Sequence, residues 1–232
     1  MPESNKDTPL GALKAMPAAD RRRSILDFIL NNAMYIIIAV AIIYIAIKVP
    51  SFLSLSSVIN ILSLTASKLP IALGVAGCIV LTGTDISAGR VVGLTACVGA
   101  SLLQMADYQN KMFPNLGVMP LWAVFLIVIA IGAAVGLVNG VFVAKFKLHP
   151  FIVTLSTQLI VFGLVLMYLM IGTNNGQTLS GLDSSYTEFI RGTLFTIGGV
   201  AVPKYVLYSA ALTVIMWVIW NKTKFGKNMF AV

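Results

Sequence analysis

The chain has 232 residues, of which 58% are hydrophobic and 10% charged, where soluble domains carry about 25% charged residues. So few charges cannot cover a water-soluble globule, which leaves an integral membrane protein. The net charge of +8 serves orientation and anionic-lipid contact in that setting, and no Lys/Arg cluster interleaved with aromatics points to nucleic acid.

In chain order, Met1–Arg23 mixes Pro, Ala, Ser, Lys, Arg and acidic residues, the composition of a disordered segment. Residues 1–27 are expected to form a cytoplasmic basic tail, with Arg21–Arg23 as an orientation anchor. A polar stretch of this length before the first apolar run argues against a cleaved signal peptide. Six apolar runs then approach the ~20 residues a spanning helix needs. They are Phe28–Ile47, Val58–Leu81, Val91–Ala106, Leu121–Ala144, Phe151–Ile171 and Tyr205–Trp220. The third and sixth are short and borrow flanking residues, and a break in the second is expected near Pro70. Residues 28–220 thus read as an all-α, polytopic transmembrane bundle.

The positive-inside rule orients it. With the N-terminus in the cytoplasm, the inner segments hold eleven basic residues: Lys6, Lys14, Arg21, Arg22, Arg23, Arg90, Lys145, Lys147, Lys222, Lys224 and Lys227. The outer segments hold four, Lys48, Lys111, Arg191 and Lys204. That asymmetry predicts six spans with both ends cytoplasmic, residues 221–232 forming the inner C-terminal segment. The outer loop Gly172–Lys204 is long and rich in Gly, Ser, Thr and Asn; it is either a passive connector or the face a partner or substrate meets.

No G-x-x-x-x-G-K-[ST] motif occurs, so a phosphate loop for ATP is not expected here. The one histidine, His149, cannot build a histidine metal cluster, and Cys78 and Cys97 both lie in apolar runs. Neither enzyme activity nor a cofactor is expected. Gly132, Gly136 and Gly140 lie four apart on one helix face, where another backbone can approach closely. Asn139 sits beside them, either bonded to a neighbouring helix or lining a pathway. Lys68 is the one charge inside a predicted span; it either snorkels to the interface or faces a hydrated cavity. Thr154, Ser156, Thr157 and Gln158 open the fifth span, and Thr154 and Gln158 share a face. Lys68, Asn139, Thr154 and Gln158 are the candidate pathway residues. Between the second and third spans, Gly83-Thr84-Asp85-Ile86-Ser87-Ala88-Gly89-Arg90 reads as a helix–turn–helix corner in which Asp85 or Ser87 caps the next helix and Asp85 is placed to pair with Arg90.

This corner resembles the signature of the permease subunits of bacterial ABC importers for monosaccharides. The matching positions are Gly83, Asp85, Ile86, Ser87, Ala88 and Gly89, and the Arg90 ending is most similar to the galactose/methyl-galactoside branch. Ile71–Gly77, Asn110–Pro114, Pro150–Leu155 and Trp220–Asn228 are similar too, so the likeness covers roughly residues 28–232. The resemblance implies a helical permease of about ten spans that works by alternating access. It implies a second permease copy, two cytoplasmic ATPase subunits and an extracellular or periplasmic sugar-binding protein as partners. Lys222, Lys224, Phe225, Gly226 and Lys227 would then begin the ATPase-coupling segment. In such permeases the chain continues past this stretch, so the sequence reads as the N-terminal portion. An ion-coupled secondary transporter and a non-transporting membrane module remain as alternatives.

Overall fold

A computed structural model describes residues 18–231. The chain divides into two compact units at Val58. In the first, α1 (Ala18–Asn31) and α2 (Ala33–Lys48) are separated by Asn32, whose φ of −112° and ψ of 13° leave the helical region. The Asn32 side-chain amide donates to the Phe28 carbonyl at 2.9 Å. Sequence reasoning expected one span over Phe28–Ile47; the short polar side chain instead hydrogen-bonds locally and interrupts the helix. α1 also takes in Arg21–Arg23, which the composition assigned to an unstructured tail, while residues 1–17 of that tail lie outside the described residues. α2 is apolar all round and buries none of its residues, as suits a helix in contact with lipid. A 3₁₀ turn, Pro50–Leu53, leads into α3 (Leu55–Val80), whose first turn is met by the Ser54 hydroxyl accepting from the Ser57 N–H at 3.3 Å.

In the second unit the long apolar runs become helices. It contains the rest of α3, then α4 (Ala88–Leu102), α5 (Leu121–Ala144), α6 (Pro150–Leu169), α7 (Ser184–Arg191), a hairpin of β1 (Thr193–Ile197) and β2 (Val200–Pro203), α8 (Lys204–Lys222) and α9 (Lys224–Phe230). α3 runs unbroken for 26 residues through Pro70, correcting the expected break; interior prolines are tolerated where a helix lies in a membrane and its neighbours absorb the freed backbone groups. α3, α5 and α6 are long and apolar enough to cross a membrane, and α8 with α9, bent by 71°, would make a fourth if taken as one span. α2 and α4 are apolar but shorter, at 16 and 15 residues.

α4 is the centre of this unit, packed on α5 and α6, which also pack on each other. The close approach of α4 to α5 falls at Gly99: a Cβ there would sit 3.4 Å from Val128 and 3.9 Å from the buried Val124. The glycine stripe of α5 was expected to do this. A Cβ on Gly132, Gly136 or Gly140 meets nothing within 4 Å, so that face is open among the described residues. The segment Gly172–Lys204, expected as a loop, contains α7 and the hairpin. Asp183 caps α7, accepting from the Ser185 N–H at 2.8 Å. Gly198 and Gly199, both at positive φ, form the two-residue turn that lets the antiparallel strands reverse.

Candidate functional site

The corner between α3 and α4 is built by hydrogen bonds rather than apolar packing. After α3 ends, Thr82 takes a positive φ of 56° and the Gly83 N–H returns to the Cys78 carbonyl at 2.9 Å. A Cβ on Gly83 would lie 3.6 Å from the Pro150 ring, so a small residue lets the corner reach the first turn of α6. Proline at that helix start costs no hydrogen bond, because the first-turn N–H groups have no intrahelical partner.

Four polar side chains then form a directional chain. The Thr157 hydroxyl donates to Asn139 Oδ1 at 2.6 Å. Asn139 Nδ2 donates to Ser87 Oγ at 3.2 Å. The Ser87 hydroxyl donates to Asp85 Oδ1 at 2.6 Å, and the Ser87 N–H donates to the same oxygen at 2.8 Å. Every donor points toward the carboxylate, so the one charged group ends the chain and polarises each bond before it. Beside it, the Thr154 hydroxyl reaches the Thr84 carbonyl at 3.1 Å and the Pro150 carbonyl of its own helix at 2.9 Å. The corner, α5 and α6 are therefore joined by buried polar contacts; Ser87 is 1% exposed and Asn139 9%.

Two clefts flank this chain, of about 250 and 260 Å³. Both are lined by Asp85, Gly136 and Asn139; Gly132 opens onto the first and Gly140 onto the second. The bare glycine face is thus cleft wall, with the amide and carboxylate at its edge.

The structure brings Asn139, Thr154, Asp85 and Ser87 together, and Gly83 with them. Lys68 and Gln158 stand apart: Lys68 is exposed on α3, and Gln158 is half-buried on α6. The hydroxyls near Lys68 are engaged locally, Thr65 with the Ile61 carbonyl and Ser67 with the Leu64 carbonyl, both at 2.8 Å. Asp85 does not pair with Arg90. The Ser87 donors hold the carboxylate at the corner, while Arg90, exposed on α4, lies over the Phe162 ring at 4.4 Å, a cation–π contact. Ser87 does not cap α4 through its side chain; its hydroxyl donates to Asp85 and its oxygen accepts from the Asn139 amide. Gly89 faces open space.

Sequence reasoning missed Thr157 as the partner of Asn139, favouring Gln158 by its i, i+4 relation to Thr154. It also missed the cap at the other end of the bundle. There Gln104, 0% exposed, donates from Nε2 to the Ser180 carbonyl at 3.0 Å and accepts from the Met112 N–H at 2.8 Å. Its signal was a lone amide near the end of the apolar run Val91–Ala106. Ser101 and Tyr168 share a hydrogen bond of 2.6 Å that ties α4 to α6 at this end, and the Asp183 N–H donates to the Leu103 carbonyl at 2.8 Å.

At the C-terminal end, Thr223 Oγ1 accepts from the Gly226 N–H at 3.3 Å and starts α9. A Cβ on the buried Gly226 would collide with the Trp220 backbone, so the sharp α8–α9 elbow requires glycine. It leaves Lys222, Lys224, Phe225 and Lys227 exposed. Met229 approaches α3 at Gly77, where its Cε would meet a Cβ at 3.7 Å.

Comparison with known proteins extends this picture. The family model described as branched-chain amino acid transport system / permease component matches residues 57–232. The chain is 42% identical over 216 residues to the galactose/methyl galactoside import permease protein of Escherichia coli strain K12, covering 93% of this chain and 63% of the relative. It is 38% identical over 217 residues to the protein of the same name from Haemophilus influenzae, covering 94% and 63%. It is 31% identical over 193 residues to the ribose import permease protein of Bacillus subtilis, covering 83% and 54%. The chain thus spans less than two thirds of the length of these relatives. No solved structure matches it.

Proposed function

The chain belongs to the branched-chain amino acid transport system / permease component family, and from that premise we propose that it forms part of the membrane subunit of an ATP-binding-cassette importer for a hexose. The sugar is galactose or a methyl-galactoside, moved inward across the bacterial inner membrane by alternating access between two packings of the bundle. The observation that carries this reading is the 38–42% identity with galactose/methyl galactoside import permeases over 93–94% of this chain.

In this reading the bundle has six spans here, with both ends cytoplasmic; the excess of basic residues on the inner segments supports that orientation. The subunit works as a pair. A sugar-binding protein docks on the segment Gly172–Lys204, and Lys222, Lys224, Phe225, Gly226 and Lys227 form the edge of the ATPase contact. An exposed short helix bearing Lys224 and Lys227, set by a rigid elbow just after Lys222, suits that role. Lys68, Asn139, Thr154 and Gln158 are proposed along the sugar's path, Asn139 at the wall of both clefts.

The test is uptake of labelled methyl-galactoside by cells lacking their own system, given the full-length permease with its ATPase and binding protein. Uptake should need all three and persist when the proton gradient is collapsed while ATP is maintained. Uptake that stalls with the gradient alone would overturn the reading. Glutamate at Lys224 and Lys227 should weaken copurification of the ATPase; unchanged copurification removes α9 from the contact.

A further inference from the structure

The corner begins at the end of the bundle and then climbs into it. A Cβ on Gly83 would lie 3.6 Å from Pro150, the first residue of α6. From there Thr84 meets Thr154, Ser87 meets Asn139 and through it Thr157, and the Arg90 guanidinium lies over Phe162. At a rise of ~1.5 Å per residue, Thr154, Thr157 and Phe162 stand ~6, ~10 and ~18 Å along α6. The far half of α4 agrees. Gly99 faces Val128, ~24 Å from the Ala144 end of α5, yet lies only ~17 Å into α4. α4 therefore starts ~8–10 Å inside the bundle, beside a neighbour ~30 Å long, and its 15 residues are enough to finish the crossing. The Arg90 charge stands near the middle of that neighbour. Sequence reasoning counted Arg90 among the inner-segment cations; its depth removes it from that set, which still outnumbers the outer one.

Backbone that is not helical at membrane depth persists only where protein buries it or water reaches it. The climbing segment is not fully buried: Thr84 is exposed and Asp85 half-buried. The N–H groups of Thr84, Asp85 and Ile86 find no partner among the described residues, so their donors need water. Arg90 makes the same demand more strongly. It is exposed, and the Phe162 ring beneath it is 41% exposed. The single ion pair among the described residues joins Lys204 to Glu188, so no carboxylate neutralises the guanidinium. Asp85, the acid of the segment, is committed to the two Ser87 donors. Charged side chains at this depth face a bundle interior or a water-filled cavity, because hydrocarbon disfavours them heavily.

We propose that Thr82–Ser87 is a re-entrant segment, and that the face bearing Gly89, Arg90 and Phe162 borders a water-filled path at mid-membrane in which the Arg90 charge admits anions and neutral solutes and bars cations. An arginine in a narrow hydrated path raises an electrostatic barrier to protons and other cations. The short helix α4 reinforces it by ending its dipole, positive end first, at the same depth. An importer driven by ATP gains nothing from a proton leak, and such a barrier prevents one. The inference rests on the importer reading only for calling this hydrated face a path.

The test uses the full-length permease in its native membrane, with Cys78 and Cys97 replaced by serine. Gly89→Cys puts a thiol beside Arg90, where a Cβ meets nothing within 4 Å. It is labelled with methanethiosulfonates bearing either a sulfonate or a trimethylammonium group, each rate taken relative to a free thiol in solution. Labelling should be many-fold faster than at Ile160→Cys, an exposed apolar position turned ~160° around α6 from Phe162. The sulfonate should be favoured several-fold; Arg90→Gln should erase that preference and Arg90→Lys should keep it, at equal chain abundance. Phe162→Cys, directly under the guanidinium, repeats both readings if Gly89→Cys does not accumulate. The inference is overturned if the reporter thiol is as slow as Ile160→Cys, whether lipid or protein covers the face, or if the preference outlasts Arg90→Gln. Uptake measured alongside separates the two claims: charge-selective labelling without uptake defeats the transport reading alone, and uptake without labelling defeats this inference alone.

Discussion

The two ends of the helical bundle hold their loops by different chemistry. At the corner end, Thr157, Asn139 and Ser87 form a one-way hydrogen-bond chain that terminates on the Asp85 carboxylate. At the opposite end, Gln104 clasps two backbone groups, Ser180 and Met112, with no charge involved. The first arrangement is as strong as its terminal acceptor and couples three elements through it. The second is a local clasp between two loops, closed by backbone complementarity alone. A charged acceptor roughly doubles the strength of each bond it receives, so the corner end should be the stiffer of the two, and its failure should spread further.

Asp85→Leu tests this most severely. It removes the acceptor of two donors and leaves the Ser87 N–H and hydroxyl without it, which should cost about 3 kcal/mol by the net worth of bonds to charged groups. Thermal unfolding in detergent would read it; Asp85→Asn, which keeps an acceptor oxygen, should recover about half of that loss. Next is Gln104→Leu, which orphans the Met112 N–H and the Ser180 carbonyl, for about 2 kcal/mol. Faster proteolytic nicking between residues 173 and 183, with the helices intact, would mark this as a local clasp. Asn139→Leu should cost less, about 1 kcal/mol, because interhelical polar contacts in membranes are individually modest and the Ser87–Asp85 bond survives it. An Asn139 effect exceeding that of Asp85 would place the amide, not the carboxylate, at the centre of the corner. Smallest is Lys204→Ala. Its pair with Glu188 is solvent-facing on the glutamate side, so unfolding should shift by under ~1 kcal/mol, and a larger shift would show that α7 is held by charge rather than by the stacking of Phe189 on Tyr208.

Much of the helical layout was legible because it is a one-dimensional signal. The runs 121–144 and 151–171 became α5 and α6 with little change at their first residues, since continuous apolar character over ~20 residues has one outcome in a bilayer. The exceptions had local causes that pattern counting overlooks: Asn32 bonding Phe28 inside an apolar run, and Pro70 carried through α3 without a break. At the corner, sequence reasoning picked out Asn139, Thr154, Asp85 and Ser87 but not the bonds among them. It chose Gln158 over Thr157 because helix spacing says which residues share a face and not which face meets α5. The glycine stripe misled for the same reason, since Gly99 rather than Gly132, Gly136 or Gly140 lies where α4 and α5 touch.

The sequence by itself determined the membrane class, the positions of the long apolar helices and the family, all of which follow from composition, apolar run length and a contiguous motif. Tertiary structure alone decided that Asn139 meets Ser87 across 52 residues, that Gln104 meets Ser180 across 76, and that Arg90 lies over the Phe162 ring. Hydrogen bonds have a reach of ~3 Å and strict angles. Their partners are therefore set by the rotation and depth at which helices pack, quantities that no single helix's sequence specifies.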